Sequence, residues 1–253
     1  MVCVVLAAGY ATRLYPLTEN FPKPLLPVGE KTILDWLLDD IDSTCPVDRH
    51  VIVSNHKFIG HFEQWTLEKH LSAPIHVLDD GSTSNETRLG AVKDIQFAID
   101  ALSLDDDLLV IAGDNVLDFS LHVFCQYAED KKATCVMRYY EPSVDVLRKT
   151  GVALIDENER IIRMEEKPSE PFANWSVAPF YYYSRRDIHF IRQAIESDCN
   201  TDAPGSMIAW LSNKSPVYAM EMPGMRYDIG NIASYQTVQD VYKGIIHQDE
   251  GAR

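Results

Sequence analysis

The chain opens on an apolar strand that runs directly into a loop of small residues, and this junction constrains its fold more than any other feature. Residues 2–6 lead into Ala7-Ala8-Gly9, and Arg13 follows four residues later. Small residues let a backbone approach a phosphate closely, free N–H groups bind the anion, and an arginine adds fixed positive charge. The junction therefore predicts an α/β domain with a phosphate site at the end of its first strand.

A lysine between two prolines makes this prediction more specific. Proline on each side of Lys23 restricts the backbone, so the lysine presents its charge from a stiff segment. A P-loop does not fit, because residues 29–32 (Gly-Glu-Lys-Thr) interrupt the required Gly-Lys-Ser/Thr run. A dinucleotide fingerprint does not fit either, because Gly9 is the only one of its three glycines present. Arg13 and Lys23 together indicate a triphosphate site.

Strands and helices alternate along the first half of the chain. The pattern predicts strands at residues 2–6, 50–54, 75–78 and 108–112, and helices at 33–41, 57–69 and 90–102. Such alternation is typical of an open parallel sheet, which binds its ligands at the carboxyl ends of its strands. The loops after the first and fourth strands should therefore open on one crevice.

The second half reads as antiparallel strands with shorter helices. We predict strands at 133–140, 152–155, 161–165 and 180–183, and helices at 187–196 and 207–211. Residues 156–159 fit the turn of a hairpin. Because no low-complexity linker divides the halves, we predict a single domain, 1–253, in which a lobe at 131–243 is built onto a nucleotide-binding half at 1–130.

Composition excludes several classes of partner and compartment. With 46% hydrophobic residues, the 253-residue chain can form one substantial core. Its formal charge of −15 argues against nucleic acid as a partner. The absence of 18 consecutive apolar residues argues against a membrane span, and no signal peptide is predicted. Five scattered cysteines without CxxC spacing suit reduced thiols, so we expect a cytoplasmic protein, with a homo-oligomer left open.

Four motifs follow one another along the chain. They are LAAGYATRLYPLT with PKPLLPVG within residues 6–29, Gly-Asp-Asn at 113–115, Glu-Glu-Lys-Pro at 165–168 and Asp-Ile-Gly at 228–230. In this order they resemble the signature of the sugar-1-phosphate nucleotidyltransferases, the family of glucose-1-phosphate thymidylyltransferase and the bacterial UDP-glucose pyrophosphorylases. The resemblance covers about residues 1 to 243. It implies a Rossmann-like open, mostly parallel sheet with an inserted antiparallel sugar-binding lobe, the GT-A-like nucleotidyltransferase fold.

The resemblance also implies a reaction, in which a sugar-1-phosphate oxygen attacks the α-phosphorus of a nucleoside triphosphate and releases pyrophosphate. Positioning and charge neutralisation dominate such a reaction. Asp114 ends an apolar strand, where a carboxylate suits Mg²⁺, and Asp228 is the second metal candidate; the matching family positions hold the metal. Arg13 is expected on the leaving pyrophosphate, Lys23 near the phosphates undergoing transfer, and Lys167 on the incoming sugar phosphate.

Further binding residues are carried over by the resemblance. Those expected at the nucleotide are Leu6, Ala8, Gly9, Asp79, Arg88 and Gly90, and those expected at the sugar are Asn115, Gly151, Glu166, Asn174 and Val177. The chain departs from the family at residues 177–181, where Val-Ala-Pro-Phe-Tyr replaces Val-Thr-Gly-Leu-Tyr, and at Ala11, which replaces a common glycine. The first departure predicts a different sugar pocket.

The nucleobase stays open between CTP, UTP and dTTP. Residues 78–81 (Leu-Asp-Asp-Gly) and 85–91 occupy the region where thymidylyl and uridylyl enzymes place a glutamine and a Gly-rich turn. Glutamine both donates and accepts, which matches uracil or thymine, whereas an aspartate only accepts and suits the amine of cytosine. Asp79 or Asp80 therefore makes CTP a rival to the other two.

Two other functions are compatible with these motifs. One is a cytidylyltransferase for a phosphorylated alcohol such as phosphocholine, whose pocket would need an aromatic cage for the quaternary amine. The other is a non-catalytic regulatory module that binds nucleotide sugars. The presence of Arg13, Lys23, Asp114, Lys167 and Asp228 together favours an enzyme, because a binding module needs no complete metal and phosphate set.

Overall fold

The computed structural model describes residues 1–197 and 199–246, so residues 247–253 of the predicted domain lie outside the described part. The strands are β1 (Val2–Leu6), β2 (Pro27–Val28), β3 (Lys31–Thr32), β4 (Arg49–Ser54), β5 (Ile75–Asp79), β6 (Leu108–Ala112), β7 (Asn115–Leu117), β8 (Thr134–Tyr140), β9 (Gly151–Ile155), β10 (Ile161–Glu166), β11 (Trp175–Tyr183), β12 (Val217–Glu221) and β13 (Arg226–Asp228). The helices are α1 (Ile33–Thr44), α2 (Ile59–Glu68), α3 (Ala91–Leu102), α4 (His122–Lys131), α5 (Val144–Leu147), α6 (His189–Glu196), α7 (Pro204–Leu211) and α8 (Ile232–Val241).

One mixed sheet of nine strands runs through the described residues. Its main path is β10-β9-β11-β6-β1-β4-β5, and β8 joins β11 and β12 beside that path. The strands β6, β1, β4 and β5 are parallel, as predicted for the first half. The lobe shares this sheet, because β11 pairs antiparallel with β6, with Phe180 opposite Ile111. The predicted α/β fold with an open, mostly parallel sheet is confirmed.

Helices cover both faces of the sheet, which gives three layers. On one face, Leu34 of α1, Phe62 of α2 and Phe124 of α4 are fully buried. On the other face, Ile95 of α3 and Ile191 of α6 are fully buried. Covering both faces removes the apolar strands from water, which is why the parallel strands are continuous apolar runs without alternation.

Local chemistry explains where the predicted elements begin and end. Helix α1 begins at a capping box in which Thr32 and Asp35 each accept the other's backbone N–H at 3.0 Å. The predicted turn at 156–159 joins β9 to β10, and the Asp156 N–H donates to the Arg160 carbonyl at 2.9 Å. Helix α6 begins two residues later than predicted, because residues 185–188 form a turn in which the Asp187 N–H donates to the Ser184 carbonyl at 2.7 Å.

Several short elements were not predicted. They include the three-residue strands β7 and β13, which pair with each other outside the main sheet. Three residues are too few to show an alternating pattern. Among the described residues, no helix has the length and apolar character needed to cross a membrane.

Candidate active site

The loop after β1 presents a row of unpaired backbone donors. Within the described part of the chain, the N–H groups of residues 8–13 donate to no other protein group. The loop is nevertheless held in place, because Asn55 donates to the Ala8 carbonyl at 3.0 Å and Tyr10 donates to the Ser82 carbonyl at 2.9 Å. Ala11 has the left-handed conformation, with φ +47°, that explains why glycine is common there. A fixed loop with free N–H groups suits a phosphate.

The loops after β1 and β6 meet, as the sequence predicted for the two ends of a crevice. The Gly113 N–H donates to the Leu6 carbonyl at 3.3 Å. A Cβ on Gly113 would lie 2.9 Å from Pro24, so only glycine lets the Lys23 segment come this close. As a result, Lys23, which is only 7% exposed, donates to the Asp114 carboxylate at 2.9 Å.

The second metal candidate reaches the crevice through the short pair of β7 and β13. In their register Asp228 lies opposite Asn115, the residue that follows Asp114. Asn115 is fully buried, and its amide donates to Asp114 and accepts from Arg226, the latter at 2.5 Å. Asn115 thus links the two predicted metal ligands.

Desolvation inside the crevice raises the pKa of Asp228, and the negative charge of Asp114 raises it further. Crevice atoms displace bulk water from part of the carboxyl group, although 52% of its side chain remains accessible. Three cations oppose the increase: Arg226, Lys23 and Arg13. Three cations thus gather around Asp228, in a chain whose net charge is −15.

Arg13 and Arg226 approach Asp228 from different segments. An Arg13 guanidinium nitrogen lies 4.0 Å from the position that a Cβ on Gly230 would take. Arg226 lies 3.8 Å from the Asp228 carboxylate. Sequence reasoning missed Arg226, although it stands two residues before Asp228, and residues at that spacing share one side of a strand.

The donor chemistry at Asp114 and Asp228 fits Mg²⁺. Within residues 1–197 and 199–246, no three His, Cys, Asp or Glu side chains cluster in a way that would hold a metal ion. Magnesium usually takes one or two protein carboxylates and completes its shell with phosphate oxygens and water. Two aspartates beside a loop of free N–H groups are therefore an appropriate protein contribution.

Three of the predicted sugar residues lie side by side across three strands. Glu166 of β10 is opposite Gly151 of β9, which is opposite Val177 of β11. Burial raises the pKa of the Glu166 carboxyl. The predicted residue Asn174 lies just before β11, where its amide donates to the Glu141 carbonyl at 3.0 Å.

Gly205, in the first turn of α7, makes room for Glu166 and was not predicted from the sequence. A Cβ on Gly205 would lie 2.1 Å from a Glu166 carboxylate oxygen. The only local signal is a glycine next to Pro204 at a helix start, which is too common to indicate a site.

Lys167 follows Glu166 in a rarely adopted backbone conformation. Its φ is +51°, and its N–H donates to the Thr150 carbonyl at 3.0 Å. A left-handed conformation costs a non-glycine residue about 1–2 kcal/mol. The bend carries the exposed lysine out of the line of β10.

The predicted base-binding residues fall into two separate groups. Asp79 accepts hydrogen bonds from His56 at 2.6 Å and from the Gly81 N–H at 2.8 Å. By contrast, Arg88 pairs with Asp202 at 2.7 Å, and a Cβ on Gly90 would lie 2.6 Å from the backbone carbonyl oxygen of residue 201. Arg88 and Gly90 thus contact residues 201–202.

The buried carboxyl group of Asp94, in the helix that begins after Gly90, was not predicted from the sequence. Asp94 of α3 is only 5% exposed, and its Oδ1 has no hydrogen-bond partner within the described part of the chain. Burial, with a smaller contribution from the Asp80 carboxylate, raises the pKa of Asp94 to about 7.

The family model and the relatives of known name agree on one protein family. Residues 2–243 match the family model described as nucleotidyl transferase. The chain is 31% identical over 185 residues to a Sulfolobus acidocaldarius protein named "putative mannose-1-phosphate guanyltransferase", covering 72% of this chain and 48% of that protein. It is 27% identical over 233 residues to the bifunctional protein GlmU of Methanocaldococcus jannaschii, covering 91% and 51%. The chain thus spans about half the length of these curated relatives.

The fold is shared with a solved structure of low sequence identity. A UDP-glucose pyrophosphorylase crystallised with UDP-glucose superposes with a TM-score of 0.80 at 19% identity, covering 95% of this chain and 97% of that chain.

Proposed function

Because this chain belongs to the nucleotidyl transferase family, we propose that it transfers a nucleotidyl group from a nucleoside triphosphate to a sugar 1-phosphate. The observation that carries the proposal is that Asp114 and Asp228, which lies opposite Asn115 in the register of β7 and β13, converge beside a loop whose N–H groups are unpaired among the described residues. Two anionic substrates need this combination of fixed donors, cations and metal ligands in one crevice.

The reaction balances without a protein nucleophile. A sugar-phosphate oxygen forms a bond to the α-phosphorus, the bond from that phosphorus to the bridging oxygen breaks, and pyrophosphate leaves with the electron pair. Bound Mg²⁺ would supply neutralisation of triphosphate charge between Asp114 and Asp228. The N–H groups of residues 8–13 bind phosphate oxygens, Arg13 holds the leaving pyrophosphate, and Lys23 lies beside the transferred phosphorus.

The sugar 1-phosphate binds on the lobe side of the crevice. Glu166 accepts hydrogen bonds from sugar hydroxyls, and Gly151 and Val177 form the floor beside it, which the three-strand register supports. Lys167 neutralises the sugar phosphate from its exposed position after β10. Asn115 supports the site indirectly, by holding Asp114 and Arg226.

The nucleobase is the least constrained substrate feature. Both oxygens of Asp79 already accept hydrogen bonds in the structure, but a carboxylate oxygen can accept more than one. We propose that Asp79 or Asp80 accepts from the amine of cytosine, so CTP should be used faster than UTP or dTTP. A strong preference for UTP or dTTP would return both aspartates to the role of turn residues before Gly81.

A pyrophosphate-release screen tests the proposal. The chain is incubated with Mg²⁺ and each of ATP, CTP, GTP, UTP and dTTP against glucose 1-phosphate, mannose 1-phosphate and phosphocholine, with Asp228→Asn as the matched inactive variant. We expect release with at least one sugar 1-phosphate. Release with phosphocholine alone would make the chain a phosphocholine cytidylyltransferase. Tight nucleotide-sugar binding without release would make it a regulatory module.

A further inference from the structure

Arg226 is a cation of the crevice to which the family motifs assign no role. It stands on β13 two residues before Asp228, so both side chains project from the same side of that strand. Only 16% of its side chain is exposed. Partial burial of a guanidinium costs free energy unless the group is paired or bound to an anion. The neighbours of Arg226 indicate which of these two roles it has.

Two contacts hold the guanidinium in place. Nη1 donates to the Asn115 amide oxygen at 2.5 Å, and the group lies 5.5 Å from the centre of the Tyr139 ring, with Nη2 3.5 Å from the Tyr139 hydroxyl oxygen. Arginine has five N–H donors, and these contacts use at most two of them. The guanidinium is thus fixed in the crevice, and its other N–H groups donate to no acceptor among residues 1–197 and 199–246.

Asp228 alone does not account for this arrangement. Its carboxylate is 3.8 Å from Nη1, which is too long for a direct hydrogen bond. A guanidinium that served only to neutralise Asp228 would form the bidentate pair that arginine and carboxylate prefer. Arg226 instead donates to a neutral amide, and within the described part of the chain most of its N–H groups have no acceptor.

Arg226 lies on the lobe side of Asp114 and Asp228, the two predicted metal ligands. Tyr139 belongs to β8, and it pairs with Ser176 of β11, next to Val177. The phenol of Tyr181, on the same strand β11, interacts electrostatically with both Glu166 and Arg226. Arg226 therefore lies between the predicted metal pair and the strands that would hold the sugar.

We propose that Arg226 binds the phosphate of the incoming sugar 1-phosphate and shares it with Lys167, so that the site selects an acceptor with a phosphomonoester dianion. This inference rests on the proposed function for the identity of the acceptor. The exposed ammonium group of Lys167 can move with the substrate. The guanidinium of Arg226 is planar and partly buried, so it fixes the direction from which the sugar phosphate approaches. The attacking oxygen is thereby aligned toward the phosphate loop.

The test compares Arg226→Met, which keeps much of the volume, with Arg226→Lys, which keeps the charge but loses the fork. Arg163→Met is the control, because Arg163 belongs to the same lobe, stacks on Phe172 at 3.9 Å and is exposed. Steady-state kinetics with glucose 1-phosphate should show a KM for the sugar phosphate raised at least about tenfold in Arg226→Met, and less in Arg226→Lys. The KM for the triphosphate and the Mg²⁺ midpoint should stay within about twofold, and the control should behave as wild type.

A binding measurement keeps the inference separate from the reaction. Calorimetry with glucose 1-phosphate and Mg²⁺, without triphosphate, should show about tenfold weaker binding to Arg226→Met than to wild type, with circular dichroism confirming that the variant is folded. Equal affinities, or a shifted Mg²⁺ midpoint with an unchanged sugar-phosphate KM, would make Arg226 a partner of Asp228 only and overturn the inference. If no wild-type pyrophosphate release occurs while binding still depends on Arg226, the proposed function fails and the phosphate site stands.

Discussion

Lys23 donates a hydrogen bond to Asp114 at 2.9 Å across 91 residues of sequence. The pair joins the loop that follows β1 to the loop that follows β6, so the segment proposed to bind phosphate and the metal candidate form one unit. The lysine is almost completely buried, and its charge is balanced by that carboxylate. A charge held in this way would need little reorganisation to meet the triphosphate of the proposed reaction.

The two aspartates should be essential for turnover. Asp114→Asn and Asp228→Asn should each reduce kcat by about two orders of magnitude or more, because losing a metal-ligand charge removes several kcal/mol of transition-state stabilisation. EDTA should abolish the wild-type activity. Asp145→Asn, which removes a highly exposed carboxylate of α5, is the control and should leave kcat unchanged. Wild-type kinetics in either active-site variant would exclude the proposed metal site.

Arg13 and Lys167 should affect opposite ends of the displacement. Arg13→Ala should mainly lower kcat and slow the reverse reaction with pyrophosphate, whereas Lys167→Ala should mainly raise the KM for the sugar phosphate. Each change removes a charge-assisted hydrogen bond, worth about 1.5–3 kcal/mol. Forward and reverse steady-state kinetics measure both effects. A rise in the triphosphate KM alone in Lys167→Ala would require the two roles to be exchanged.

Gly205→Ala should change substrate binding with little effect on folding. The new Cβ would lie 2.1 Å from a Glu166 carboxylate oxygen, which can rotate away because it ends a flexible side chain. We expect the KM for the sugar phosphate to rise about tenfold, since Glu166 would lose its place at the sugar. Gly60→Ala is the matched control, because nothing lies within 4 Å of the Cβ position in that helix. Unchanged kinetics in Gly205→Ala would argue against a sugar role for Glu166.

Asp94 should make the folded protein less stable as the pH rises. With a folded pKa of about 7, well above that of an unfolded aspartate, the native state keeps a proton that the unfolded state has released. Stability is therefore lost between about pH 4 and pH 7 and stays lower above that range. Compared with Asp94→Asn, the wild type should lose about 2–3 kcal/mol of unfolding free energy between pH 5 and pH 8 in urea titrations.

The control for this experiment is Asp100→Asn on the same helix, where the exposed carboxylate pairs with Arg192. Asp100→Asn should change the free energy of unfolding by a similar amount at pH 5 and at pH 8. If the difference between wild type and Asp94→Asn were constant with pH, the Asp94 carboxyl would not be the proton-binding group.

The central features of this protein were predictable from local sequence patterns. The apolar run of β1, the small residues after it and the alternation of elements predicted an α/β sheet, and the Lys23 and Asp114 segments were identified before any contact was known. These features are local, because periodicity, small residues and prolines act through neighbouring backbone atoms. The hairpin between β9 and β10 was predictable for the same reason.

How distant segments complete the site depends on tertiary packing. Arg226 and Asn115 are 111 residues apart and meet through two three-residue strands that have no recognisable pattern. The close approach of Gly205 to Glu166 and the burial of Asp94 likewise depend on which helices pack against which face of the sheet. Such contacts arise from the burial of the whole apolar surface, a property of the assembled layers that no short stretch of sequence contains.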